Sequence, residues 1–231
     1  MTFDDLQKTI GIPFKDPELL KLAFVHRSYL NEEKHMHTSN ERLEFLGDAV
    51  LSFLTSQFLY RTYADYPEGT LTNIRSSLVK TKSLSDIARL LKLGDLLFLS
   101  HGEEASGGRT NQSLLADVFE ALLGAIYLDQ GIEVAGKFLR TYLFPNAEGI
   151  IATKSYIDYK SLLQELIQRD SRVSPTYHVT RSEGPDHARM FWVEARAGKT
   201  VLGAGSGKSK QEAEQAAALA ALATLEKRGN I

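Results

Sequence analysis

The chain of 231 residues predicts a multidomain protein, an all-α domain followed by an α+β domain of order α-β-β-β-α. Three observations carry that reading. Apolar residues recur at helical spacing over the first ~145 positions, with little that alternates at a strand period. A stretch holding Pro145 and Gly149 then interrupts the pattern. After it, β-branched and aromatic residues alternate between two helical segments. The predicted boundaries are 1–149 for the first domain, 150–156 for a linker and 157–231 for the second domain.

The elements follow in order. Asp16-Pro17-Glu18 opens a helix, because proline suits the first turn and acids favour the positive end of the helix dipole. Leu19, Leu20, Leu22, Ala23 and Phe24 supply its apolar residues. Asn31 to Ser39 is a polar loop, and Ser39 or Asn40 can cap the next helix. In that helix Leu43, Phe45, Leu46, Ala49, Val50, Phe53 and Leu54 make the apolar face. Tyr66-Pro67-Glu68-Gly69 breaks the chain. Leu71, Ile74, Leu78 and Val79, then Leu84, Ile87, Ala88 and Leu91, mark two further helices. Gly102 to Arg109 reads as a flexible loop before a long apolar helix at Ser113–Ile126. In the second domain, Tyr159–Ile167 is helical, and strands are expected from Thr176, Phe191 and Thr200. The alanine-rich segment Gln211–Arg228 is the closing helix.

Composition narrows the chemistry. The absence of cysteine excludes disulfides and cysteine nucleophiles, and it suits a reducing compartment. The N-terminus is acidic and carries no apolar secretory core, and no apolar run approaches the ~18 residues of a membrane span. These features predict a cytoplasmic protein that makes no use of a membrane. Charge is uneven. Residues 1–150 hold 15 Lys+Arg against 20 Asp+Glu, and residues 151–231 hold 12 against 9. An acidic first part and a basic second part fit a metal-dependent enzyme joined to a polyanion-binding module.

The acids are the sharpest signal. Glu41, Glu44 and Asp48 follow i, i+3, i+7 spacing and share one stripe of a helix. Asp117 and Glu120 share a face of the second apolar helix. Carboxylates among so many hydrophobic residues are costly unless a charge compensates them, and a divalent cation is the usual compensator. Gly47 adjoins Asp48, and Gly124 lies one turn beyond Glu120. Glycine costs a helix ~1 kcal/mol, so a close helix contact through these two positions is expected, with Glu44, Asp48, Asp117 and Glu120 converging on one cation.

NERLEFLGDAVL, followed by SLLADVFEALLGAIYLDQG, resembles the bacterial ribonuclease III family, and the last third of the chain resembles a double-stranded RNA-binding domain. The resemblance covers nearly the whole chain. It implies an endoribonuclease for double-stranded RNA that uses Mg²⁺, with Mn²⁺ as a substitute, and acts as a homodimer. It implies that Asp48 and Glu120 are catalytic, that Glu44 and Asp117 join them as metal ligands, and that Glu41 and Glu68 are supporting acids. Phe45 matches an aromatic that plugs a cavity on the partner subunit, although an ordinary core position stays open for it. Asn40 and Arg109 are candidates to orient the acids or the RNA backbone. The implied products carry 5′-phosphate, 3′-hydroxyl and short 3′ overhangs. The implied substrates are ribosomal, messenger and transfer RNA precursors with duplex structure.

The RNA-binding residues implied by the second resemblance are Lys160, Gln164 and Glu165 on the first helix, His187 in the loop between strands, and Lys208, Ser209 and Lys210 at the start of the last helix. A glycine-rich turn entering a helix exposes N–H groups to phosphate, and A-form RNA offers 2′-hydroxyls in a wide, shallow minor groove. The family has two adjacent basic residues where this chain has Lys210-Gln211, and Lys208 supplies charge from the turn.

Other readings are weaker. Glu68 between Pro67 and Gly69 is equally a turn carboxylate. His35-Met36-His37 is better explained as a polar loop than as a metal pair. The six histidines, His26, His35, His37, His101, His178 and His187, form no pair with a core motif, which disfavours cleavage by paired histidines. Gly205–Ser209 lacks the full spacing of a nucleotide loop, so no nucleotide cofactor is expected. A non-catalytic duplex-RNA regulator and a phosphohydrolase for small nucleotides remain as alternatives.

Overall fold

A computed structural model describes residues 1–33, 37–170, 174–185 and 188–227. The chain divides into two compact units, Met1–Tyr156 and Ile157–Ile231. The first contains α1 (Phe3–Ile10), α2 (Pro17–Leu22), α3 (Glu41–Thr62), α4 (Glu68–Leu78), α5 (Thr81–Leu90), α6 (His101–Ala105), α7 (Gln112–Gln130), α8 (Ile132–Tyr142) and α9 (Asn146–Ala152). The second contains α10 (Tyr159–Asp170), β1 (Thr176–Glu183), β2 (Met190–Ala197), β3 (Thr200–Gly207) and α11 (Lys210–Lys227). Among the described residues no helix is long and apolar enough to cross a membrane.

Helix α7 is the axis of the first unit. From Leu115 to Ile126 every residue is buried except Asp117 and Glu120. A helix apolar on all sides must be surrounded, and α3, α5, α8 and α2 pack around it. The closest approach is to α3. A Cβ built on Gly47 would lie 1.8 Å from the carbonyl oxygen of Glu120, and one on Gly124 would lie 2.3 Å from that of Leu43. The two glycines therefore let the backbones touch, as the sequence predicts.

Helix α3 has two apolar sides rather than the single face expected. Leu43, Val50, Leu51, Leu54 and Leu59 enter the core. Phe45, Phe53 and Tyr60 point outward at 80%, 57% and 75% exposure. Phe45 is thus no core residue. Asn40 sits just before the helix without capping it through its side chain. Its Nδ2 donates instead to the Ala23 carbonyl at 3.2 Å, and its backbone N–H to Val25 at 2.8 Å. Ser39 takes the polar role, accepting from the Glu41 N–H.

Two expectations are corrected. The segment read as a flexible loop at 102–109 contains α6 and a 3₁₀ turn at Gly108–Thr110. Ser100 caps α6 by accepting from the Glu103 N–H, and Arg109 pins the return of the chain. The segment read as a linker at 150–156 belongs to the first unit, because Ile150, Ile151 and Tyr156 pack on its core and α9 continues to Ala152. Pro145 and Gly149 punctuate the sequence there without separating the chain from the core.

In the second unit the sheet is antiparallel in order β1-β2-β3, and α10 and α11 pack together with α11 lying on β2 and β3. Gly198, at φ +60°, makes the turn between β2 and β3. Alternate residues of β3, Gly203, Gly205 and Gly207, face α11. A Cβ on them would lie 2.3, 2.3 and 2.6 Å from the backbone nitrogens of Ala221, Ala217 and Ala213. Those alanines are fully buried, so a strand of glycines receives a helix of alanines with no side chain between the backbones.

Candidate active site

The contact of α3 with α7 places the predicted acids together. Glu41 and Asp48 are exposed, while Glu44, Asp117 and Glu120 are half-buried. Among the described residues Glu44, Asp48, Asp117 and Glu120 make no side-chain hydrogen bond or ion pair. The consequence is electrostatic. Burial, then the charges of Asp48, Glu44 and Asp117, push the Glu120 carboxyl up to about 8. Burial also raises Glu44, reinforced by Asp117, Glu41 and Asp48. Burial raises Asp117, against the proximity of His26. The charge of Asp48 thus acts on Glu120 across the helix contact, although 72 positions separate them in the chain.

A pocket of about 300 Å³ opens beside this group, lined by Glu41, Glu44 and Asp117 with His26, Arg27 and Asn40. Asp48 and Glu120 lie outside that lining. Among the described residues no three acidic or histidine side chains, as they stand, converge closely enough to hold a metal ion. The donor chemistry nevertheless fits a hard cation: four carboxylates offering oxygen ligands, with an excess of negative charge.

The remaining predicted residues fall into three groups. Glu68 opens α4, exposed, and accepts from the Thr72 hydroxyl at 2.9 Å; it is not among the charges acting on Glu44 or Glu120. Asn40 tethers the start of α3 to residues 23–25, and its carbonyl accepts the Glu44 N–H at 2.9 Å as the first backbone bond of the helix. Arg109 does not reach the acids. Its guanidinium donates to Glu104 at 2.6 Å and to the carbonyls of Gly94, Asp95 and Leu97 at 2.9–3.3 Å. That bond holds the exposed Glu104 carboxyl below its ordinary range. Arg109→Ala is therefore expected to cost about 1–3 kcal/mol of stability in thermal unfolding, by orphaning carbonyls, while cleavage per folded molecule is kept. A proportionate loss of turnover at low temperature would return Arg109 to the site.

In the second unit, Gln164, Glu165, Lys208, Ser209 and Lys210 are exposed. Ser209 caps α11 by accepting the Glu212 N–H at 3.1 Å, and Glu212 accepts the Lys208 N–H at 2.8 Å. Lys160 is engaged within its own module. Its ammonium pairs with Glu214 at 2.5 Å and lies 4.8 Å from the centre of the Tyr177 ring. Asp158 caps α10 and is held below the ordinary carboxylate range chiefly by the amide of Gln215. His187 and the preceding Asp186, like His35 and Met36 of the first unit, lie outside the described residues. Sequence reasoning missed His26 and Arg27, which border the acids, because only tertiary packing brings them there.

An acidic helical unit with paired carboxylate helices, followed by an α-β-β-β-α module with an exposed basic helix start, defines a nuclease joined to a duplex-RNA reader. Comparison with known proteins agrees. A ribonuclease-III-like family model matches residues 16–147, and a double-stranded RNA binding motif matches residues 159–225. Ribonuclease 3 of Bacillus cereus strain G9842 is 49% identical over 225 residues, covering 96% of this chain and 91% of that protein. Ribonuclease 3 of Treponema denticola is 44% identical over 221 residues, covering 96% and 90%. The nuclease domain of ribonuclease III from Campylobacter jejuni superposes with a TM-score of 0.59 at 39% identity, covering 63% of this chain and 98% of that domain. The chain belongs to the ribonuclease III family, and its activity is endonucleolytic cleavage of double-stranded RNA.

Proposed function

We propose that Glu44, Asp48, Asp117 and Glu120 together hold Mg²⁺, or Mn²⁺ in its place, and that cleavage of duplex RNA takes place against them. The observation that carries this is the uncompensated charge: burial and neighbouring acids push the Glu120 carboxyl up to about 8, and a bound cation removes that cost. When bound, the ion lowers the pKa of an attacking water and stabilises charge on the phosphoryl oxygens. Asp48 and Glu120 are the catalytic pair of this reading, since Asp48 is the acid whose charge acts most on the Glu120 carboxyl. Glu44 and Asp117 complete the ligand set from the pocket side. Glu41, which lies 3.8 Å from Arg27, shapes the pocket rim, and Glu68 acts as a supporting acid only if another surface brings it in.

The RNA-binding module grips the duplex through Gln164, Glu165, His187, Lys208, Ser209 and Lys210. Lys160 contributes by fixing α10 against α11, given its pairing with Glu214. The enzyme works in the cytoplasm on structured precursors, as a homodimer in which two acidic sites cut one strand each. Phe45 supports the dimer. It stands 80% exposed beside Phe53 and Tyr60 on one side of α3, and a lone monomer has no reason to show such a stripe. The C. jejuni nuclease domain is described with a region involved in dimer formation. Phe45→Ala is expected to raise the dimer dissociation constant about 30-fold in sedimentation, the size of a single aromatic anchor. Unchanged self-association would leave Phe45 a plain surface residue.

The direct test is a long RNA duplex incubated with and without Mg²⁺, with product ends mapped. Cation-dependent cuts on both strands, leaving 5′-phosphate and 3′-hydroxyl ends, are expected. Duplex binding without any cut at any salt concentration would make the protein a regulator instead.

A further inference from the structure

His26 borders the acidic pocket with Glu44 and Asp117, and its ring is held in one orientation. The His26 backbone N–H donates to the Phe98 carbonyl at 3.1 Å, and Phe98 returns the bond to Phe24 at 2.9 Å, so the residue is fixed by a bridge between distant segments. Its ring Nδ1 lies 2.8 Å from the Ser28 hydroxyl and 3.3 Å from the Ser28 backbone nitrogen. The backbone N–H can only donate, so Nδ1 accepts. The Ser28 oxygen is already an acceptor, for the Ser100 N–H at 3.0 Å, which leaves its own hydrogen for Nδ1. The neutral ring therefore carries its proton on Nε2. Among the described residues Nε2 has no hydrogen-bond partner.

One acid of the pocket matches that unused donor. Asp117 is half-buried and has no hydrogen bond of its own among the described residues. His26 and Asp117 line the same pocket from separate segments of the chain, and among the described residues neither the ring Nε2 nor the carboxylate is engaged elsewhere. We propose that His26 is a positioning residue, whose Nε2–H donates to the Asp117 carboxylate when a divalent cation draws that carboxylate in. One carboxylate oxygen is then held by the imidazole and the other is turned to the cation. The chain Ser100 N–H to Ser28 hydroxyl to His26 to Asp117 sets a ligand's orientation from residues that never touch the RNA. This role rests on the cation reading above. Partners of this kind, one step behind the ligands, are worth roughly 10–100-fold in metal affinity.

The test is Mn²⁺ alone, titrated into the full-length protein without RNA, with free Mn²⁺ followed by its paramagnetic resonance signal. Asp117→Asn serves as the control for the site. His26→Ala is expected to weaken Mn²⁺ binding about 10-fold or more. His26→Gln, whose amide N–H reaches the place of Nε2, should recover most of the affinity, which a merely structural role would not produce. Ser28→Ala releases the tautomer without removing the ring and should weaken Mn²⁺ binding less than His26→Ala; it stands in if the alanine variant fails to fold. Long-range ¹H–¹⁵N spectra of histidine-labelled protein should show His26 as the Nε2–H tautomer. Wild-type Mn²⁺ affinity in His26→Ala, equal weakness in His26→Gln, or an Nδ1–H tautomer would each overturn the role. If the wild-type protein itself takes up no Mn²⁺ while the tautomer is as expected, it is the cation site that falls, and this role falls with it.

Discussion

Replacing Glu120 with Gln is expected to abolish cleavage of duplex RNA and, at the same time, to raise the melting temperature of the protein kept free of divalent metal. The two effects share one cause. Glu120 ordinarily titrates near 4.5, and in the folded chain it is pushed up to about 8 by burial and by Asp48, Glu44 and Asp117. Between those values the folded state keeps a proton that the unfolded state has lost. Its stability is therefore greatest at the acid end of that window and falls as pH rises through it. At pH 7 and above the carboxylate is a liability that Gln removes. Discounted for the partial exposure of the group, the gain is about 1–2 kcal/mol, or about 2–8 °C. The loss of cleavage should exceed the roughly 10–100-fold that changes behind the ligands cost, because the proposed site would lose a ligand itself. Duplex RNA binding, measured by gel shift, should survive. Added Mg²⁺ should raise the melting temperature of the wild-type protein far more than that of the variant. A Gln variant that is less stable than its parent in metal-free buffer at pH 8 would show that Glu120 is already compensated.

Gly47→Ala is expected to be the most damaging single methyl group in the first unit. Its Cβ would meet the Glu120 carbonyl oxygen at 1.8 Å and carbon at 2.6 Å, backbone atoms that no rotamer change can move aside. Relief requires α3 and α7 to separate, which costs about 3 kcal/mol or more and outweighs the ~1 kcal/mol that alanine gains in helix propensity. Because the displaced atoms belong to Glu120, turnover should fall even at temperatures where the variant is folded. Gly149→Ala is the matched control. It lies in α9 with nothing within 4 Å of its built Cβ, so it should be neutral or stabilising by up to about 1 kcal/mol. Urea unfolding of the two variants side by side decides the matter: equal midpoints would mean that the helices are not in backbone contact.

The helix pair was legible in the sequence because two independent periodicities agreed there. Acids at i, i+3, i+7 and glycines beside them both pointed to one face, and Gly47 and Gly124 do meet α7 and α3 on it. The α-β-β-β-α order was legible for a similar reason, since Val193 and Ala195 are buried at strand period between two helical runs. What could not be read was the destination of polar side chains. Arg109 looked free for RNA and instead holds three carbonyls. Lys160 looked like an RNA-binding residue and pairs with Glu214, 54 residues away. Phe45 could have faced either way, because α3 is apolar on two sides and periodicity does not say which one meets α7. His26 comes to line one pocket with Asp117 across 91 positions, with no local signal at all. In each case the partner is chosen by tertiary packing, and neither spacing nor composition encodes it.

The glycines of β3 carry a mechanical consequence. With Gly203 and Gly205 flush against the backbone of α11, and Gly207 against Ala213 and the Glu212 stem, helix and strand have little cushion between them. The helix can neither slide nor rock without driving atoms into atoms, so Lys208 and Lys210 ride at the end of an unyielding plate. Close packing of this kind holds the spacing of the module's two ends fixed, which suits a reader that takes duplex RNA by its shape.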